Sequence, residues 1–221
     1  RRLRDTGATF LFGVPTHAID LLAELRRDGG ELPDLAGFRI SGAAVPDAVC
    51  AELLDHGITP QSGYGMTEAC SHHYTLPDDP PARITGTSGT ACGGYDVRVF
   101  AQDDPDREAA VDEIGQIGGR GASLMLGYFE DAVATAASFN NAGFFMTGDI
   151  GALDADGYLR ITGRKKDVII RGGHNIYPAR IEALAMRHGA VERAAAVPVP
   201  DERLGERVCI TVTLRPDSDL E

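Results

Sequence analysis

Between Gly86 and Gly173 lie 16 of the chain's 27 glycines, set among short runs that alternate apolar with polar residues, such as Tyr95-Asp96-Val97-Arg98-Val99-Phe100. A period of two turns one strand face inward and the other outward, and glycine supplies the positive backbone angles of tight turns. This stretch is therefore predicted as short strands in a small sheet or barrel. Asp154-Ala155-Asp156-Gly157 fits as one of its hairpin turns, because the later ligands of a calcium loop are missing, and one helix, about Asp131 to Phe139, interrupts the strands. The flanking sequence has other rhythms. Ahead of it, the apolar run Ala8 to Val14 ends at Pro15, and Ile19, Leu22 and Leu25 recur at helical spacing up to Gly29-Gly30. Gly37 to Ile40 reads as a second strand, and a helix with Pro46 in its first turn carries Val49, Leu53 and Leu54 and stops at Gly57. Strand and helix in alternation predict a parallel sheet flanked by helices. After Lys166, a strand at Val168 to Ile170, a helix near Ala179 to His188 and strands at Ala194 to Val199 and Val208 to Leu214 predict an α+β segment.

Composition narrows the function classes. Glycine and proline occupy 39 of 221 positions, short of the roughly one quarter at which low-complexity disorder becomes the better reading. A net charge of -12 repels phosphodiester backbones and argues against a broad nucleic-acid-binding surface. Any phosphate site is then local, and Arg160 to Arg193, with eight basic and three acidic residues, is where a phosphate-bearing ligand could be held. The longest apolar runs are too short for a membrane span, and no signal peptide is expected. No initiator methionine precedes Arg1, and Arg1-Arg2-Leu3-Arg4-Asp5 reads like the end of a helix, so the chain is expected to be cut from something longer. Of the 21 basic residues 19 are arginine, and the only lysines are Lys165 and Lys166. Cys50, Cys70, Cys92 and Cys209 stand far apart, which predicts reduced thiols in a cytoplasmic protein.

Four short motifs could carry chemistry. In Gly63-Tyr64-Gly65-Met66-Thr67-Glu68, glycines admit a ligand close to the backbone, the tyrosine offers a stacking face, the threonine a hydrogen bond to phosphate and the glutamate a place for Mg²⁺. A glycine turn with Thr67 as a helix cap explains the same residues. Thr147-Gly148-Asp149 reads as a turn, or as a carboxylate accepting both hydroxyls of a ribose. Gly163-Arg164-Lys165-Lys166-Asp167 is by default a solvated charge run, and Arg171-Gly172-Gly173-His174-Asn175 a loop with glycines at positive φ.

The order and spacing of these motifs resemble the adenylate-forming superfamily of acyl-CoA synthetases, aryl-acid ligases, peptide-synthetase adenylation domains and beetle luciferases. The resemblance extends over Ser41-Gly42-Ala43-Ala44-Val45-Pro46, Gly127-Tyr128-Phe129, Gly143-Phe144-Phe145, Asp156-Gly157-Tyr158-Leu159, Asn175-Ile176-Tyr177-Pro178 with Ile181-Glu182, and Val199-Pro200-Asp201-Glu202 with Gly205-Glu206. It implies an enzyme that activates a small-molecule carboxylic acid with ATP, releases pyrophosphate and passes the acyl group to the thiol of CoA. It implies further that Gly42, Ala43 and Ala44 form the adenine-side loop, that Tyr64, between Gly63 and Gly65, stacks on adenine, and that Thr67 meets the α-phosphate. Glu68 would hold Mg²⁺, Asp149 the ribose diol, and Arg164 a further part of the nucleotide. Lys166 matches the hinge before the small C-terminal domain, Gly172 and Gly173 the loop beside the pantetheine of CoA, and Thr16, His17, Ile19, His72 and His73 the acyl pocket, although ordinary hydrogen-bonded histidines explain the last group as well.

On that resemblance the fold class is α/β and α+β. Residues 1–84 are the end of a parallel α/β subdomain, 85–165 a small β-barrel-like subdomain, and 166–221 the hinge and an incomplete α+β C-terminal domain. Relatives hold a phosphate loop well upstream and a lysine near the C-terminus of the small domain; neither is among these residues, so the 221 residues alone are expected to be inactive. A carrier-protein thiol in place of CoA, or nucleotide binding without turnover, are the alternatives. The acid and the oligomeric state are not implied.

Overall fold

The computed structural model describes residues 2–215 and Ser218. A short helix, α1 (Arg2–Thr6), precedes β1 (Phe10–Gly13), α2 (Pro15–Asp28), β2 (Gly37–Ile40), α3 (Asp47–Asp55) and β3 (Thr59–Met66). β1, β2 and β3 are parallel neighbours, in register from Phe10↔Gly37↔Thr59 to Gly13↔Ile40↔Ser62. The alternation of strand and helix thus gives the parallel sheet that it predicts. On α2 the predicted Leu22 and Leu25 are buried, with Ala18, against Phe38, Ile40, Leu53 and Ile58, whereas Ile19, predicted on the same face, is 42% exposed. Each fully buried leucine or isoleucine of this set contributes roughly 1.5–3 kcal/mol relative to exposure. Gly29, at φ +61°, ends α2 by donating its N–H to the Leu25 carbonyl, the left-handed cap that glycine accepts without a Cβ clash. β4 (Cys70–Tyr74) and β5 (Thr90–Ala91) extend the sheet antiparallel in the order β1-β2-β3-β4-β5, and α4 (Pro81–Gly86) lies between them in sequence.

The glycine-rich stretch forms β6 (Tyr95–Phe100), β7 (Gly115–Gly121), α5 (Ala132–Ala137), β8 (Phe145–Leu153) and β9 (Leu159–Arg164). The four strands make an open sheet in the order β6-β7-β8-β9, and no closed barrel forms among the described residues. Glycine serves packing here as well as turning. A Cβ on Gly118 of β7 would stand 2.6 Å from the Phe100 ring of β6. The turn at Asp154 to Gly157 joins β8 to β9, with the Asp154 carboxylate accepting the N–H groups of Asp156 and Tyr158. Thr147-Gly148-Asp149 does not form a turn, as its composition suggests, but lies inside β8. Gly148 sits there at φ +76°, so the glycine kinks a continuing strand.

A 3₁₀ turn (Lys165–Asp167) leads to β10 (Ile169–Arg171), β11 (His174–Ile176), α6 (Pro178–Ala185), β12 (Val191–Asp201) and β13 (Gly205–Leu214). The sheet runs β11-β10-β13-β12 with antiparallel pairing throughout. Three motif acids act as scaffold in this region: Glu182 accepts the Ala196 N–H at 2.9 Å, Glu206 that of Ile170 at 2.6 Å, and Asp201 those of Arg203 and Leu204. The chain divides into two compact units, one taking the chain up to Thr147 with Ala152–Ile161, the other Gly148–Gly151 and the chain from Thr162. The four cysteines are free thiols. No helix among the described residues is long and apolar enough to cross a membrane.

Candidate active site

In the first unit the parallel strands bring the predicted residues to one edge. The carboxyl end of β1 leads to Thr16 and His17, that of β2 to Gly42, Ala43 and Ala44, and β3 runs on through Gly63, Tyr64 and Gly65 to Thr67 and Glu68. The Ser41 N–H donates to the Gly13 carbonyl at 3.0 Å, which holds the first two loops side by side. Gly42 stands at φ +94°, a conformation that favours glycine. Outside the carboxyl ends of parallel strands is where open α/β sheets bind ligands.

Within the hairpin β3–β4, a Cβ on Gly65 would lie 2.1 Å from the Cys70 carbonyl oxygen. The bulge between Tyr64 and Gly65 makes that approach, so the hairpin itself requires this glycine. Tyr64 is 8% exposed and packs with Ile117 and Leu159, its ring edge-on to His72 at 4.7 Å. Thr67 and Glu68 occupy the turn; Thr67 is exposed and caps no helix, because β4 follows. The turn is pinned from three sides. The Met125 N–H donates to the Glu68 carbonyl at 2.7 Å, the Tyr95 hydroxyl to the Ala69 carbonyl at 2.5 Å, and the Tyr128 hydroxyl to Glu68 Oε1 at 3.2 Å. Sequence reasoning assigns Tyr128 no role: 60 positions separate it from Glu68, and no local pattern announces the contact.

Of the residues predicted for an acyl pocket, Thr16, His17 and Ile19 lie on α2 and His72 and His73 on β4. His17 is exposed at the start of α2, where its Nδ1 accepts the Val14 N–H at 3.3 Å. It lines a shallow apolar cavity of about 360 Å³ with Leu11, Phe12, Leu21 and Phe38, a lining that includes neither Ile19 nor His72. His72 and His73 are wholly buried on β4, their Nδ1 atoms 3.2 Å apart and their Nε2 atoms without a hydrogen-bond partner. Burial pushes His72 down to about 4 and, with the charge of its neighbour, His73 to about 3, so both rings are neutral at neutral pH.

In the second unit, Asp149 of β8 is 7% exposed and pairs with Arg164 at the end of β9, Nε to Oδ1 3.3 Å. The two residues predicted to grip a nucleotide from this part of the chain are thus brought together. Lys166 is exposed in the 3₁₀ turn. Gly172 and Gly173 form the β10–β11 turn at φ +56° and +82°, the positive angles that the sequence leads one to expect.

Among the described residues no group of three or more His, Cys, Asp or Glu side chains could hold a metal ion. Glu68 nevertheless fits Mg²⁺, which is usually bound by one or two carboxylates with the remaining ligands from phosphate oxygens and water.

This chain belongs to the AMP-binding enzyme family: the AMP-binding enzyme profile matches residues 1–129 and that of the AMP-binding enzyme C-terminal domain residues 180–221. A medium-chain fatty-acid–CoA ligase of Escherichia coli (strain K12) is 35% identical over 213 residues, 96% of this chain and 37% of that protein. A feruloyl-CoA synthase of an Amycolatopsis species is 37% identical over 90% of this chain and 40% of its own length. The crystal structure of ATP-bound MatB from Rhodopseudomonas palustris superposes with a TM-score of 0.91 at 30% identity, covering all of this chain and 44% of that one. The chain therefore spans well under half the length of these relatives.

Proposed function

We propose that the chain is part of an ATP-dependent carboxylic acid–CoA ligase. An acid's carboxylate oxygen attacks the α-phosphate of ATP and pyrophosphate leaves. The CoA thiol then adds to the acyl carbonyl, AMP departs with the former carboxylate oxygen, and the thiol proton passes to solvent. The observation that carries this reading is that the loop holding Gly42 and the turn holding Thr67 and Glu68 both follow the carboxyl ends of neighbouring parallel strands, β2 and β3. In it the backbone of Gly42, Ala43 and Ala44 borders the adenine, with Gly63, Tyr64 and Gly65 beside it. The Thr67 hydroxyl donates to an α-phosphate oxygen. Glu68 would hold Mg²⁺, whose charge would offset that developing in phosphoryl transfer. Asp149 accepts the ribose hydroxyls, and the Arg164 guanidinium orients it by their ion pair. Lys166 is the pivot on which the following segment turns, 166–221 forming the start of a small domain, and Gly172 and Gly173 leave room for the pantetheine arm.

The test is acid-dependent exchange of pyrophosphate into ATP by the full-length protein. With its acid supplied, exchange is expected, and Glu68→Ala is expected to lower it by roughly 10²–10³-fold, as for loss of a transition-state charge stabiliser. Exchange undiminished by that substitution contradicts the assignment. Thioester formation with free CoA distinguishes this acceptor from a carrier-protein thiol; adenylate without thioester assigns the carrier.

A further inference from the structure

We propose that Tyr128 is a positioning residue for Glu68, holding one carboxylate oxygen so that the other is presented to the divalent cation that accompanies ATP. The inference rests on the ligase reading above. Its geometric basis is a clamp built from α5 outward. The Asp131 carboxylate caps α5 by accepting the Ala134 N–H at 2.8 Å. The Thr135 hydroxyl donates to the Asp131 carbonyl at 2.8 Å and accepts the Tyr128 N–H at 2.9 Å. The Tyr128 carbonyl in turn accepts the Asp131 N–H. Both backbone polar groups of Tyr128 are thus tied to the start of one helix. Gly127 makes this possible: it sits at φ +154°, and a Cβ there would stand 2.9 Å from the Thr135 side chain. From the clamp, the phenol reaches Glu68 Oε1 at 3.2 Å, and the Met125 N–H three residues earlier holds the Glu68 backbone carbonyl at 2.7 Å.

The same short segment therefore fixes the glutamate by main chain and by side chain. A half-buried carboxylate on a hairpin turn would otherwise sample several rotamers, and every rotamer frozen on binding costs affinity. A phenol donor on one oxygen removes that freedom without neutralising the charge. Partners of this kind, one step removed from a metal, orient the ligand, and their loss typically lowers metal affinity by about 10–100-fold. Phosphates share the cation here, so the low end applies.

The test uses the full-length protein with Tyr128→Phe, which deletes the hydroxyl and keeps the ring. The half-saturating Mg²⁺ concentration for pyrophosphate exchange is expected to rise roughly tenfold, with KM for the acid unchanged. Calorimetric titration with ATP, which needs no turnover, is expected to show weakened binding when Mg²⁺ is limiting and parent-like binding when Mg²⁺ is omitted. In a Glu68→Ala background, Tyr128→Phe is expected to add nothing. An unchanged Mg²⁺ requirement, or an equal further loss in that background, overturns the proposal and leaves Tyr128 a packing residue. Should Tyr128→Phe fail to fold, Thr135→Val decides. It removes the acceptor of the Tyr128 N–H and is expected to raise the Mg²⁺ requirement by a smaller factor; no rise overturns the proposal. Absence of exchange with every acid defeats the ligase reading and the inference with it, whereas exchange that depends on Glu68 but not on Tyr128 defeats the inference alone.

Discussion

His72 and His73 are wholly buried, and their facing Nδ1 atoms require one ring to donate and the other to accept. With folded-state values near 4 and 3, they lie below the ordinary histidine value of 6.5. The unfolded chain therefore takes up protons first as pH falls. The stability these residues contribute is complete above about pH 6.5 and is lost from there down toward their folded values. At pH 5 the loss is about 2 kcal/mol for each, to order of magnitude. Urea unfolding at about pH 7.5 and pH 5 should show this decline in the parent and a much smaller one in a His72→Gln/His73→Gln variant; equal declines would assign the pH dependence to other groups. Residue type nominates Thr67, Glu68, Asp149 and Arg164 for the proposed site, and the structure pairs the last two. What holds them was not legible. The Tyr128 hydroxyl on Glu68 and the facing imidazoles depend on where distant strands place side chains, and nothing in local sequence encodes that.

At the scale of elements, the β3–β4 hairpin depends on Gly65. A methyl group there meets the Cys70 carbonyl at 2.1 Å, and backbone, unlike a side-chain tip, cannot swing away. Gly65→Ala is expected to cost about 1–3 kcal/mol and to displace the Glu68 turn. Gly93→Ala, where a Cβ meets nothing within 4 Å, is the control and should stay within about 0.5 kcal/mol of the parent. Thermal or urea unfolding of the two variants checks both. Periodicity located α2, whose buried Ala18, Leu22 and Leu25 recur at helical spacing. It did not locate Thr147-Gly148-Asp149 correctly, since a glycine at positive φ gives the same sequence signal in a reversing turn and in a kinked strand. Whether the glycine-rich strands closed into a barrel was also unreadable, because closure depends on the pairing of outer strands and not on any one strand's pattern. Asp154, which marks the β8–β9 turn, proves to be part of a wider tie: Arg83 of α4 pairs with Asp154 and Asp156 and lies over the Tyr158 ring at 4.4 Å.

At the scale of the whole molecule, the 221 residues span 37% of the Escherichia coli ligase and 44% of MatB. We expect these residues alone to form no acyl-adenylate even when folded, because their only lysines are the adjacent pair of the 3₁₀ turn and neither is assigned to the reacting oxygens. Pyrophosphate exchange by the isolated 221 residues, with circular dichroism to verify folding, is the check, and measurable turnover would refute the assignment of roles. The same scarcity has a practical consequence. Side-chain amines within this stretch occur at one place, Lys165 and Lys166, both exposed. Among the side chains of this stretch, an amine-directed dye, acyl donor or crosslinker therefore marks a single locus, the segment assigned to the pivot, and a spectroscopic reporter can be installed there without engineering a cysteine.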